Sequence, residues 1–168
     1  MSLGKVMVEQ VLARPWERVP VSRREGLYTV AAAEGPLQAR VELADADRLG
    51  CVATSIQVER TALFETGSSD QTVLRARAEQ LTKRLTYLLE DLDIIEISSG
   101  NGICQIRSSP PEIIKEGTSY YELILEEKGR ATLVRYEKCA GVACRIPKSM
   151  SLTLEVLRRL VDDLATVV

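Results

Sequence analysis

The stretch around Lys128-Gly129 constrains this chain more than any other part of it. Glu127-Lys128-Gly129-Arg130 suits a two-residue turn, because glycine takes a positive φ without steric cost. Setting Glu127 opposite Arg130 then places Glu122 opposite Arg135, Ile124 opposite Leu133 and Tyr121 opposite Tyr136. One face carries Tyr121, Leu123, Leu125, Thr132, Val134 and Tyr136, nearly all apolar, and the other carries the opposite-charge pair Glu122 and Arg135. Side chains on a strand alternate with a period of two, so a slip of one residue would destroy both patterns. The residues therefore predict an antiparallel hairpin in that register.

The same argument extends to two further turns. At Asn101-Gly102, Gly100 opposite Ile103 sets Ile97 against Ile106 and Glu96 against Arg107. A turn at Glu34-Gly35 pairs Tyr28 with Val41 and Val30 with Ala39. From Leu37 to Ala44 the residues alternate, and the chain passes through a loop at Asp45 to Gly50 into Val52, Ile56 and Val58. About seven antiparallel strands are expected.

Two amphipathic helices join them. Between Asp70 and Leu92, apolar residues recur at Leu74, Ala78, Leu81, Leu85, Leu88 and Leu92. From Leu152 to the end they recur at Leu154, Leu157, Leu160, Val161, Leu164 and Val168, with Ser151 as the expected cap. The order βββ-α-ββββ-α makes this an α+β chain: a single domain over 26–168, after an irregular N-terminal segment over 1–25. Within that segment Met7 to Ala13 suit a short helix, and Pro15 and Pro20 forbid regular continuation. Leu88-Leu89-Glu90-Asp91-Leu92 and Leu160-Val161-Asp162-Asp163-Leu164 match in type. Either an internal duplication or the shared habits of amphipathic helices explain that match.

Composition narrows the function. The 168 residues contain no histidine, which removes Ser-His-Asp and Cys-His nucleophile systems and histidine-ligated metals. With 22 basic and 24 acidic residues the net charge is −2, so a protein living by phosphate contacts is not expected. Cys51, Cys104, Cys139 and Cys144 form no Cys-x-x-Cys knuckle. They read as reduced cytosolic thiols, the other reading being a zinc or redox site around Cys139 and Cys144. No apolar run approaches a membrane span, and the first residues lack the apolar core of a signal peptide; a cytoplasmic protein is expected, with no metal and no cofactor.

Positive chemical signals are few. Gly100-Asn101-Gly102 lies in a predicted turn and is no phosphate loop. Glu122 and Glu126 share a strand face, where two carboxylates could divide into acid and base; the other reading is a solvated face. Arg14, Trp16, Arg18, Arg23 and Arg24 interleave an indole with basic residues, either as an anion contact or as ordinary edge packing. Tyr120, Tyr121 and Tyr136 cluster on the last hairpin. The candidate ligand-binding set is Tyr120, Glu122, Arg135 and Tyr136. Extra apolar positions on both helices (Val73, Tyr87, Leu89, Val156, Val167) suit burial against a second subunit.

In size, mild acidity and element order the chain resembles the type III secretion chaperone group. That resemblance implies a small acidic α+β dimer holding an extended client; the additional strands depart from the pattern and no residue is carried over. The expectation is a non-catalytic binding or assembly protein, homodimeric or bound to a protein client, with no membrane and no nucleic-acid partner. The alternative is a small-ligand protein or histidine-free enzyme with a Tyr- and Glu-lined site between helix and sheet.

Overall fold

A computed structural model describes residues 1–13, 26–61, 71–98 and 100–168. Three α-helices are described: α1 (Leu3–Ala13), α2 (Gln71–Arg84) and α3 (Leu154–Ala165). The strands are β1 (Tyr28–Glu34), β2 (Leu37–Ala46), β3 (Gly50–Arg60), β4 (Leu92–Ser98), β5 (Ile103–Ser108), β6 (Glu112–Ile114), β7 (Gly117–Glu126), β8 (Arg130–Cys139), β9 (Ile146–Lys148) and β10 (Met150–Thr153). All described strand pairs are antiparallel, and the chain is α+β.

The hairpin at Lys128-Gly129 forms, but one residue out of the expected register. Glu126 pairs with Arg130, leaving Glu127, Lys128 and Gly129 as a three-residue loop. Gly129 sits at φ 83° and donates its N–H to the Glu126 carbonyl at 3.0 Å. A three-residue loop ending in a left-handed glycine competes with the two-residue turn, and here it wins. Tyr120 therefore faces Tyr136, Tyr121 faces Arg135, Glu122 faces Val134 and Leu123 faces Leu133. The slip gathers Leu123, Leu125, Ala131 and Leu133 on one face, all fully buried. That is a more apolar set than the expected one, which included Thr132. Glu122 and Arg135, expected to be partners, lie on opposite faces.

The other hairpins also depart from expectation. Glu34 pairs with Leu37 around Gly35-Pro36, so Val30 meets Val41 rather than Ala39. That shift is even, and every side chain keeps its face. Between β4 and β5 a bulge near Ile95 breaks the register. Ile94 rather than Ile97 meets Ile106, Glu96 meets Gln105, and Arg107 stands opposite Asp93 instead of Glu96.

The seven expected strands lie in the order β1-β2-β3-β8-β7-β5-β4. The three short strands were not expected. β6 flanks β7, while β9 and β10 fill a fork at the centre of the sheet. β3 and β8 pair only from Ser55↔Val134 to Glu59↔Arg130. Beyond that point they diverge, β9 pairing with β8 and β10 with β3.

All three helices lie on one face. α1 covers β1 and β2 and runs beside α3, which covers β3 and β10; α2 covers β4, β5 and β7. The helix expected to reach Leu92 stops at Arg84. A 3₁₀ turn follows at Thr86–Leu88, then Leu89 at φ 62° and 93% exposed, and Leu92 opens β4. The last helix starts at Leu154, and its cap is Thr153, whose hydroxyl accepts the Val156 N–H at 3.2 Å. Ser151, the expected cap, belongs to β10. The short helix expected over Met7 to Ala13, in a segment otherwise expected to be irregular, forms and starts earlier, at Leu3, and its Leu3, Met7 and Val11 enter the core. Residues 14–25, with Trp16 and its neighbouring arginines, lie outside the described residues.

Candidate functional site

Away from the helices, β7 presents Tyr120, Glu122, Ile124 and Glu126, the alternate set to its core residues. Glu122 is 3% exposed although no described helix covers this side of the sheet. Its neighbours bury it. Arg107 of β5, directly opposite in register, donates Nε to Glu122 Oε2 at 2.6 Å, and Gln105 donates Nε2 at 2.8 Å. Arg145, from the segment between β8 and β9, donates Nη1 to the same oxygen at 2.6 Å.

Two tyrosines hold those arginines in place. The guanidinium of Arg145 lies 3.9 Å from the Tyr136 ring centroid, and Arg107 lies 5.3 Å from that of Tyr120. The two rings are 6.1 Å apart, and Arg145 Nη1 also reaches Tyr120 Oη at 3.5 Å. Tyr120, Glu122 and Tyr136 of the expected set are thus brought together.

Arg135, the fourth expected residue, belongs to the core face. Its guanidinium lies 4.4 Å from the Tyr121 centroid, and Nε donates to Ser119 Oγ at 2.8 Å. Nη2 is 2.6 Å from both Glu90 Oε1 and Glu112 Oε2. Burial works against its charge, but Tyr121 and Glu90 outweigh that and hold its pKa above the ordinary arginine value. The one-residue slip in the hairpin explains the split.

Three participants were missed by sequence reasoning. Arg107 was assigned to Glu96, a pairing lost because β4 and β5 close at Ser98↔Ile103, two residues out of the expected register, with the bulge near Ile95 adding a third. Gln105 pairs through a neutral amide and leaves no charge pattern. Arg145 lies in an irregular stretch with no periodicity to place it. The site is also on the helix-free side rather than between helix and sheet. Glu126, expected to share chemistry with Glu122, instead lies 3.6 Å from Arg130.

Burial is the largest influence on the Glu122 carboxyl and raises its pKa, but the hydrogen bonds from Arg145 and Arg107 outweigh it. The net direction is downward, and Glu122 is ionised at neutral pH with one oxygen accepting three donors. Such a group neither gives nor takes a proton readily, so the cluster is unsuited to general acid–base catalysis. Arg107 and Arg145 remain 35% and 37% exposed. Five donors on each guanidinium leave N–H groups for an external acceptor.

A groove of about 370 Å³ lies elsewhere, lined by residues that include Asp45, Asp47, Leu49, Cys51 and Ser151. Burial pushes the Cys51 thiol up to about 11. Cys51 and Cys104 are buried, Cys139 is half-buried and Cys144 exposed, all unpaired. Among the described residues no helix is long and apolar enough to cross a membrane. No protein-family model, curated protein or solved structure matches this chain.

Proposed function

We propose that this is a non-catalytic binding or assembly protein, adaptor-like or chaperone-like, that works as a homodimer and receives a protein client on its open sheet face. The observation that carries the reading is the Glu122 cluster. Its carboxylate is satisfied internally, while Arg107, Arg145 and Tyr136, backed by the buried Tyr120, form a rigid patch of the residue types that dominate protein interfaces. Stacking of each guanidinium on a ring reduces the entropy lost when a partner docks. Unpaired cysteines fit a reducing compartment such as the cytoplasm.

Solution mass combined with a thermal-shift screen against a metabolite library tests the proposal. A concentration-dependent dimer that no metabolite stabilises supports it. A monomer shifted by several degrees by one compound would favour a small-ligand protein instead, since a ligand bound only by the folded state stabilises that state.

We further propose that the two halves descend from a duplication, at a spacing different from the one the helix sequences suggest. Glu34↔Leu37 closes β1 on β2, and Ile114↔Gly117 closes β6 on β7, each pair 80 residues from its counterpart. β3 and β8 meet at the centre of the sheet. The matching pentapeptides, by contrast, occupy a turn and strand start in one case and a helix in the other. A superposition of β2–β3 on β7–β8 that left α2 and α3 unrelated would refute the duplication.

A further inference from the structure

Cys139 and Cys144 stand on either side of the turn that joins β8 to β9. The two strands pair as Arg135↔Lys148, Tyr136↔Pro147 and Glu137↔Ile146, and the ladder ends there. Carried two residues further, the same register sets Lys138 opposite Arg145 and Cys139 opposite Cys144. The turn already brings the chain back at that level, since the Val142 N–H donates to the Cys139 carbonyl at 3.3 Å. Side-chain direction agrees. Arg145 lies over the ring of Tyr136, on the helix-free side of the sheet. In an extended chain its neighbour Cys144 therefore turns to the opposite face. Cys139, an odd step along β8 from Tyr136, turns to that same face. Opposed Cα atoms in an antiparallel ladder lie about 4.5–5.5 Å apart, within the roughly 4.4–6.8 Å that a disulfide spans.

We propose that Cys139 and Cys144 form a reversible disulfide that fixes Arg145 over Glu122. The oxidant is a small disulfide of the glutathione class. The thiolate of Cys144, the exposed member of the pair, attacks one of its sulfurs and expels the first glutathione thiolate. The Cys139 thiolate then attacks Cys144 Sγ and expels the second. The two protein thiols give up two electrons and two protons, and the oxidant takes both to become two glutathione thiols. Cys51 and Cys104 are buried and stay out of the exchange. Arg145 follows Cys144 directly in the chain, and its guanidinium donates to Glu122 Oε2 at 2.6 Å. Closing the hairpin one residue before Arg145 removes freedom from the segment that carries it. This is a regulation of the patch proposed above as the client surface; that use rests on the proposed function, whereas the bond does not.

The whole folded chain, held in oxidised glutathione without denaturant, tests this. Trypsin digestion of the unreduced product should release residues 139–145, Cys-Ala-Gly-Val-Ala-Cys-Arg, lighter by two hydrogens than the thiol form. Dithiothreitol should restore them. Brief trypsin treatment of the native chain should cleave after Arg145 at least about tenfold more slowly when oxidised than when reduced, because cleavage tracks local opening. Cys139→Ser should keep a glutathione on Cys144 and show no such protection. A native chain that carries glutathione on Cys144 but no internal bond would overturn the proposal, as would a bond between two molecules in its place. So would an internal bond that leaves cleavage after Arg145 unchanged. A monomer stabilised by a metabolite would overturn the client reading alone, since the bond is read without a client.

Discussion

The Asp162 carboxylate accepts the backbone N–H of Gly4 at 2.7 Å, so a side chain late in α3 satisfies a free donor at the start of α1. An acidic residue near the C-terminus of its own helix opposes that helix's dipole. Here the positive end of a second helix and Arg158, at 3.2 Å, offset the penalty. Asp163 is offset in the same way, by Tyr87 Oη at 2.9 Å and Arg84 at 3.3 Å.

Close approach of α1 to α3 depends on Gly4. A Cβ there would stand 2.1 Å from the Arg158 carbonyl oxygen, a backbone atom that cannot step aside. Gly4→Ala should lower stability by at least about 1–3 kcal/mol, and Asp162→Ala by about 0.5–2 kcal/mol. Urea midpoints measure both. An unchanged midpoint for Gly4→Ala would mean that α1 does not dock on α3 as described.

Glu122 makes stability depend on pH with a definite sign. Its folded pKa lies below the ordinary 4.5, because two arginine hydrogen bonds outweigh burial. The stability it contributes is therefore complete above that value and fades as pH falls through the lower folded value. Glu122→Gln should cost about 1–3 kcal/mol at neutral pH, modest because both guanidiniums still reach water. The two proteins should converge in stability below pH 4.5. Parallel curves down to strong acid would remove Glu122 as the cause.

Double-mutant cycles can read the hairpin register directly. Tyr121 and Arg135 should couple by about 0.5–2 kcal/mol through the stacked guanidinium. Glu122 and Arg135, on opposite faces, should show no coupling. The reverse result would restore the two-residue turn.

Cysteine reactivity should follow burial. Cys144 is exposed and should react first with a thiol reagent in the native state. Cys51, pushed up to about 11 by burial, and Cys104, pushed up for the same reason, should wait for unfolding. Mass spectrometry of the labelled chain gives the order. Early labelling of Cys51 would show that its end of the sheet opens.

Strand alternation and helical spacing made the seven long strands and the cores of α2 and α3 readable, because burial acts on whole periodic sets. Loop geometry was not readable in that way. Whether Lys128-Gly129 closes a two- or three-residue loop depends on one glycine dihedral, and that choice decides whether Arg135 joins Glu122 or Tyr121. The site was visible as far as Tyr120, Glu122 and Tyr136, which share one corner of the hairpin. Arg107 and Arg145 arrive from other strands and loops, and nothing local marks where they point. Short strands such as β9 and β10 follow the fork between β3 and β8, a property of the assembled sheet.

The contact between α1 and α3 also sets a timetable for synthesis. Leu3, Met7 and Val11 are made before α3, and 140 residues separate the end of α1 from the start of α3. At ordinary elongation rates that interval is roughly 10–30 s. Throughout it the nascent helix can pack on β1 and β2 but not on α3, and the open arm of β3 is paired on its β2 side alone until β10 emerges. The core around α1 therefore closes only after α3 has been made, although α1 precedes every strand it packs on.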